Sequence, residues 1–117
     1  MNYNVKYTDL FLREAKKLSK RYRSFKDDLK FFVQSLCENP FQGDTLAPGI
    51  RKIRMAITSK GKGKSGGARV ITYNVLTSEQ DGQIYLMLIY DKKDTPNIKI
   101  DVMKCIIKDL EIEGDTF

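Results

Sequence analysis

Hydrophobic and polar residues alternate at the start of the chain and then change to the spacing of a helix. The alternation over residues 3–7 predicts a short strand with one buried face. Thr8 or Asp9 can then cap a first helix, because both side chains accept hydrogen bonds from a helix N-terminus. The apolar positions of this helix recur every three or four residues: Phe11, Ala15, Leu18 and Tyr22.

A second helix is predicted after a link of only four residues, 21–24. Ser24 with Asp27 resembles a capping box, and the helix should end before Asn39-Pro40. Its apolar face consists of Phe25, Leu29, Phe32, Val33 and Leu36. The short link predicts an antiparallel helical hairpin, and the segment that continues to Gly49 is expected to be a loop.

The second half of the chain has the period-two pattern of strands. Residues 50–57 alternate, with Arg51 on the apolar side and with Lys52 and Arg54 on the other side. Residues 58–67 are rich in glycine and lysine, and we expect them to form a flexible connection between two strands of a hairpin.

Two further strands and one helix complete the predicted fold. Residues 68–76 and 83–90 are rich in strand-forming residues and are joined at a predicted turn, Asp81-Gly82. Asn97 is the expected cap of a last helix, whose apolar face is Ile100, Met103, Ile107 and Leu110. The order β-α-α-β-β-β-α predicts a single α+β domain over residues 1–117. We expect a small, mainly antiparallel four-stranded sheet with the helical hairpin on one face and a C-terminal helix.

Positive charge is concentrated in the middle of the chain. The net charge is +6, yet residues 45–78 hold seven basic and no acidic side chains, and residues 79–117 carry a net −4. Concentrated Lys and Arg favour a polyanionic partner such as RNA. No segment has the composition of a membrane span, and the first residues lack an apolar signal core, so we expect a cytoplasmic protein that does not contact membranes.

The residue types disfavour several kinds of site. The chain contains no histidine, so catalysis would depend on Lys, Arg, Tyr or carboxylate groups. Cys37 and Cys105 are far apart in predicted helices, and we expect both to be reduced and partly buried. Gly63-Lys64-Ser65 matches the end of a phosphate-binding loop, but Thr58 stands where that loop needs its first glycine. We therefore expect no metal ion and no small-molecule cofactor.

A basic cluster is expected where the second and third predicted strands meet. Arg54 and Arg69 lie on these strands and can project from one face beside Lys60, Lys62 and Lys64. Guanidinium and ammonium groups together suit a phosphodiester. The lysines of the loop could instead be ordinary solvated residues. Arg69 interrupts an apolar strand, so its side chain needs either a partner or a function.

Aromatic and basic residues near the cluster extend the candidate surface. Tyr73 lies on the same strand face as Arg69, where it could stack on an RNA base or belong to the core. The last predicted strand ends in a polar run that the antiparallel order could bring near Arg54, and whose acids and lysines could simply pair with one another. This run is Tyr90, Asp91, Lys92, Lys93 and Asp94.

Two segments carry a resemblance to a known family. Residues 49–56 read Gly-Ile-Arg-Lys-Ile-Arg-Met-Ala, and residues 60–71 read Lys-Gly-Lys-Gly-Lys-Ser-Gly-Gly-Ala-Arg-Val-Ile. Together they resemble the RelE/ParE superfamily of bacterial toxins, in particular its HigB-like branch. Weaker matches are residues 17–20, Asn39-Pro40 and residues 89–93, and the likeness covers essentially the whole chain in the same element order.

The resemblance implies a type II toxin, a ribosome-dependent messenger RNA endoribonuclease that inhibits translation. Such an enzyme needs no metal, because the RNA 2′-hydroxyl attacks the adjacent phosphorus and leaves a cyclic phosphate and a 5′-hydroxyl. Its implied partners are the ribosome, messenger RNA and a co-encoded antitoxin of the helix-turn-helix type. The implied catalytic residues are Arg69, which would stabilise the phosphorane charge, and Lys64, Arg54 and Lys92. The implied RNA-binding residues are Arg51, Lys52, Lys60, Lys62, Tyr73 and Lys93.

Other points stay open at the level of sequence. Some RelE toxins have a tyrosine after the last basic position, where this chain has Thr95-Pro96-Asn97, so the general acid and base are not identified. A ParE-like inhibitor of DNA gyrase would share the fold, although the concentrated charge and Arg69 disfavour it. A non-catalytic protein that binds RNA or the ribosome is the third alternative.

Overall fold

Five strands form one mixed sheet in the order β1-β5-β4-β3-β2. The computed structural model describes residues 2–78, 81–94 and 100–114. β1 pairs in parallel with β5, and the other three pairings are antiparallel. The strands are β1 (Asn2–Tyr7), β2 (Asp44–Ala47), β3 (Ile50–Met55), β4 (Ala68–Leu76) and β5 (Asp81–Asp91). The helices are α1 (Asp9–Arg21), α2 (Phe25–Glu38), the single turn α3 (Gly63–Gly66) and α4 (Ile100–Gly114).

The predicted class, a small α+β domain, is confirmed, but the predicted four-stranded sheet is wrong in its strand number. The additional strand β2 lies in the segment that was expected to be a loop. β2 has only four residues, three of them exposed, and it pairs with the beginning of β3 across a register irregularity. So short an edge strand shows no alternation of polar and apolar residues, and its pairing depends on contacts made in three dimensions.

The helical hairpin packs on one face of the sheet, as the two apolar stripes predict. Thr8 caps α1: its Oγ1 accepts a hydrogen bond from the Phe11 N–H at 3.1 Å and donates to the Met87 carbonyl at 2.9 Å. Phe11 and Leu36 are fully buried, and burial of each such side chain stabilises the fold by roughly 1.5–3 kcal/mol. This core also contains the inward residues of three strands: Ile53, Met55, Ala68, Val70, Ile84, Leu86 and Ile89.

A second apolar cluster contains α4 and residues of the other sheet face. Met103 and Ile107 of α4 are buried together with Ile50, Ile71, Met87 and Leu88. Strand residues alternate between the two clusters, since Val70 faces the hairpin and Ile71 faces α4. Asn97, the predicted cap, lies outside the described residues, as do the side chains of Ile100 and Leu110.

Three smaller predictions need correction. Asp81 and Gly82 do not form a turn, because both belong to β5: Asp81 pairs with Asn2 of β1, and Gly82 pairs with Leu76 of β4. The connection before them is closed by a hydrogen bond of 2.9 Å that the Thr77 N–H donates to the Asp81 carbonyl. Cys105 is exposed rather than partly buried, whereas Cys37 is half-buried as predicted. The connection over residues 58–67, which we expected to be flexible, contains two elements that were not predicted, the 3₁₀ turn Thr58–Lys60 and the helix α3. Among the described residues, no helix has the length and apolar character needed to cross a membrane.

Candidate functional site

Three neighbouring strands place Arg54, Arg69 and Tyr90 side by side. The register pairs Arg54 of β3 with Arg69 of β4, and Arg69 with Tyr90 of β5. Residues directly opposite each other on antiparallel strands have Cβ atoms about 4.5–5.5 Å apart. The residues that alternate with them on each strand are buried beneath the helical hairpin. The three polar side chains therefore form a row on the opposite face, and we call them the Arg–Arg–Tyr row.

The two arginines of this row are not neutralised by an acidic side chain. Arg54 is exposed and Arg69 is half-buried. In the described part of the chain, no carboxylate lies within ion-pair distance of either guanidinium. Like charges on directly opposed strand positions destabilise a sheet, so the pair is better explained by binding of an anion than by stability.

Arg69 is held in place by backbone carbonyls of the adjoining loop. Its Nη2 donates to the Ser65 carbonyl at 2.9 Å, and its Nη1 donates to the Ala68 carbonyl at 3.1 Å and, more weakly, to the Lys64 carbonyl at 3.4 Å. These contacts answer the sequence-based expectation that Arg69 needs a partner. They orient the guanidinium without removing its charge, and a guanidinium has five donor hydrogens to share.

Lys64 belongs to the same site because α3 lies against Arg69. The lysine side chain is exposed, and it borders a hollow that Arg54 also lines. The beginning of this loop is tied to α2 by Asp28, whose carboxylate accepts hydrogen bonds from the Thr58 N–H at 2.8 Å and from the Thr58 hydroxyl at 2.5 Å. The structure thus brings together three of the four predicted catalytic residues, Arg54, Lys64 and Arg69.

Ser24 helps Asp28 to hold the beginning of the loop against α2, and it does not form the predicted capping box. Its backbone is already helical, and its hydroxyl makes no cap hydrogen bond with the first turn of α2. Instead the hydroxyl lies 2.7 Å from Asp28 Oδ2 and accepts a hydrogen bond from the Ser59 N–H at 2.9 Å. The capping signature marked the correct helix start, but its side chain serves the loop.

Lys60 lies apart from the row, although it was predicted to bind RNA. Its Nζ is 2.7 Å from Asp91 Oδ1 and 5.4 Å from the centre of the Tyr22 ring. Arg21 and the Tyr22 hydroxyl bond the other oxygen of Asp91. Because Asp91 follows Tyr90 on β5, its side chain points to the hairpin side of the sheet.

The Asp91 carboxylate remains charged in this buried position. Burial alone would raise its pKa, but the hydrogen bonds from Lys60 and Tyr22, together with the Lys93 N–H at 3.2 Å, hold the pKa of Asp91 well below its usual range. The same hydrogen bond to Asp91 raises the pKa of Tyr22. Lys60 and Asp91 are therefore a structural ion pair that fastens the loop to the end of β5.

Two of the other predicted RNA-binding residues serve the fold. The guanidinium of Arg51 donates to the carbonyls of Phe41 at 2.7 Å and Gln42 at 2.8 Å, so it fastens the segment before β2. Tyr73 packs in the second apolar cluster and stacks on Tyr85, with 6.2 Å between ring centres. Their predicted contact with RNA stays a prediction.

The remaining basic residues lie around the row. Lys52 is half-buried and shares the strand face of Arg54, while Lys62 is exposed in the loop. Lys92 and Lys93 are exposed in the 3₁₀ turn that follows β5. The Lys92 N–H donates to the Gly67 carbonyl at 3.0 Å, so this turn adjoins the start of β4.

Gly67 also lies close to the end of β3, where a Cβ atom would be only 2.1 Å from the Met55 carbonyl oxygen. Its carbonyl also accepts a weak hydrogen bond from Lys60 Nζ at 3.4 Å. The glycine is therefore where the loop, β3 and the turn after β5 meet.

Tyr90 was expected near Arg54 as part of the run that ends the last strand, but it was not among the predicted catalytic or RNA-binding residues. Burial raises the pKa of its phenol, and the positive charge of Arg69 partly offsets that rise. The hydroxyl is consequently a hydrogen-bond donor at neutral pH. The antiparallel order suggested that Tyr90 lies near the cluster, but its alignment with Arg69 depends on an irregularity between Ile71 and Thr72 that the sequence does not reveal.

Within residues 2–78, 81–94 and 100–114, no group of three or more Cys, Asp or Glu side chains is placed to hold a metal ion. A comparison of the chain with known protein families finds no match.

Proposed function

We propose that this protein is a RelE-like type II toxin, an endoribonuclease that cleaves messenger RNA on the ribosome. The observation that carries the proposal is the opposed pair Arg54 and Arg69, whose positive charges no acidic side chain neutralises in the described part of the chain. Two guanidinium groups on adjacent strands suit the oxygens of one phosphodiester, and that of Arg69 is held in place by loop carbonyls. The resemblance of residues 49–56 and 60–71 to the family supports the same function.

The reaction can be assigned to the residues of the site. The RNA 2′-hydroxyl loses its proton and attacks the adjacent phosphorus, the bond from phosphorus to the 5′-oxygen breaks, and that oxygen gains a proton. Arg54 and Arg69 would stabilise the negative charge that develops on the other phosphate oxygens. Lys64 would anchor the phosphate or accept the first proton. Tyr90, protonated at neutral pH, would donate the second proton.

The separation of charge across the sheet supports this assignment. Asp91 and Asp94 are close to Tyr90 in sequence, yet they are engaged by Lys60 and Arg21 on the other side. The Arg–Arg–Tyr row therefore keeps an uncompensated positive charge. Such a charge attracts RNA through release of counterions, and we expect ribosome binding to weaken as salt rises.

A co-encoded antitoxin, of the helix-turn-helix type that the resemblance implies, is part of the proposal. It would present acidic and apolar residues and would either cover Arg54, Lys64 and Arg69 or displace α4. The second route would expose the cluster that Met103 and Ile107 bury.

Induced expression in bacteria tests the proposed function. We expect growth arrest accompanied by new 5′ ends within coding regions, mapped by primer extension. Arrest with altered plasmid supercoiling and intact messenger RNA would indicate a gyrase inhibitor instead. Arrest with neither change would indicate a non-catalytic ribosome binder.

A further inference from the structure

A hollow of about 230 Å³ lies beside the outer edge of β3. β2 pairs with β3 only as far as Lys52, so the edge of β3 is open beyond that residue. The floor of the hollow contains Phe32 and Met55, which are buried, and α2 forms its wall. Arg54 and Lys64, two residues of the proposed catalytic site, line the hollow as well.

Phe31 is the most exposed of the large apolar side chains that line the hollow. It lines the hollow, and 72% of its surface is accessible to solvent. An aromatic ring that remains so exposed is not explained by the core of the fold. Proteins that bind single-stranded nucleic acids commonly present exposed aromatic rings beside basic residues. The bases stack on the rings, and the phosphates contact the basic side chains.

We propose that this hollow binds one unpaired nucleobase of the RNA, stacked on Phe31, while the adjoining phosphate contacts Arg54 and Lys64. This inference rests on the proposed function and extends it, because Arg54 and Lys64 belong to both sites. The RNA strand would pass from the Arg–Arg–Tyr row over the open edge of β3 to α2.

Charge and size favour a nucleotide over a protein segment. Asp28 is the acidic residue that lines the hollow, and its carboxylate is engaged by Thr58 and Ser24. These neutral donors leave Asp28 charged, so the lining carries two positive charges, Arg54 and Lys64, against one negative charge. A volume of about 230 Å³ is smaller than the ~300–1,000 Å³ of sites for drug-sized ligands, and it suits a single base.

Binding of a short fluorescein-labelled 2′-O-methyl RNA, measured by anisotropy at low salt, tests the proposal. This oligonucleotide lacks the attacking hydroxyl, so affinity is measured without cleavage. Phe31→Ala and Phe31→Leu should weaken binding about five- to 150-fold, the range of one lost stacking contact. Phe31→Tyr and Phe31→Trp should bind like the parent. Leu12→Ala, a change at an exposed apolar residue of α1, is the matched control.

The outcomes separate this inference from the proposed function. If the parent cleaves messenger RNA and Phe31→Leu binds the oligonucleotide as tightly as the parent does, the hollow is not a base site and the proposed function stands. If Phe31→Leu leaves RNA affinity unchanged but prevents neutralisation by a co-encoded partner, the hollow docks a protein. A parent protein that neither binds the oligonucleotide nor cleaves messenger RNA on ribosomes would overturn both proposals.

Discussion

Lys60 and Asp91 form an ion pair with 2.7 Å between Nζ and Oδ1, almost withdrawn from solvent. Only 11% of the Lys60 side chain and none of the Asp91 side chain is exposed. The pair joins the basic loop to the end of β5. It also places the Asp91 carboxylate on the sheet face opposite Arg69, where it cannot neutralise the arginines of the row.

Asp91→Asn should destabilise the protein strongly, because it leaves the largely buried Lys60 ammonium without its carboxylate. Loss of one partner of a buried pair costs about 3–5 kcal/mol in the free energy of unfolding. Urea denaturation measures the difference. Asp94→Asn is the control: its carboxylate is about half exposed in the pair with Arg21, and its loss should cost no more than about 1 kcal/mol. Equal effects of the two substitutions would contradict the structural role of Lys60 and Asp91.

The stability that Asp91 contributes should depend on pH in a defined direction. The pKa of Asp91 is lower in the folded state than in the unfolded state, because Lys60 and Tyr22 stabilise its charged form. The difference in unfolding free energy between parent and Asp91→Asn should therefore be complete above about pH 4, the ordinary aspartate pKa. It should shrink as the pH falls below that value toward the folded-state pKa. A difference that grew on acidification would be incompatible with this electrostatic account.

Arg54→Ala should abolish most of the cleavage activity while the fold is retained. Arg54 is exposed and makes no ion pair in the described part of the chain, so the free energy of unfolding should change by only about 0.5 kcal/mol. Loss of one group that stabilises transition-state charge lowers kcat by about 10²–10³-fold. Arg13→Ala, an exposed site on α1, removes the same charge and should cleave RNA like the parent. If both variants lost activity equally, net charge rather than the site would be responsible.

Tyr90→Phe should distinguish the contribution of the phenol hydroxyl to cleavage from that of the aromatic ring. The ring would keep its packing in the second apolar cluster, and a proton donor would be lost. We expect a fall in the cleavage rate of about 10²-fold or more on messenger RNA bound to ribosomes. Tyr85→Phe is the matched control, since that hydroxyl bonds Gln83 at 2.8 Å. If the Tyr90→Phe protein were fully active, the hydroxyl would have no role in cleavage, and any contribution of Tyr90 would come from its ring.

Asp28→Ala should loosen the loop that carries Lys64 without unfolding the protein. The substitution removes the two hydrogen bonds that Asp28 accepts from Thr58. Hydrogen exchange should become faster at Thr58 and Ser59, and cleavage should slow because Lys64 is less well positioned. Asp27→Ala removes the same charge from an exposed position in the same turn of α2 and should change neither measurement. Unchanged exchange in Asp28→Ala would mean that other contacts hold the loop.

The sequence by itself determined the three long helices, most of the strands and the basic centre of the candidate site. The spacing of Phe11, Ala15 and Leu18 places them on one helical face because the helix repeats every 3.6 residues. Period-two alternation likewise separates Arg54 from Ile53 on β3, and the hairpin order brings Arg54 opposite Arg69. These features follow from local periodicity, which any segment carries in its own residues.

Tertiary structure decided which of the basic residues remain available to a ligand. Lys60 and Lys64 lie in the same loop of glycines and lysines, but the Lys60 side chain is largely withdrawn from solvent because Asp91, 31 residues away, and Tyr22 contact it. Arg51 is likewise engaged by carbonyls of the segment before β2. The alignment of Tyr90 with Arg69 depends on an irregular pairing between β4 and β5. Long charged side chains find partners through the packing of distant elements, and local sequence patterns do not record that packing.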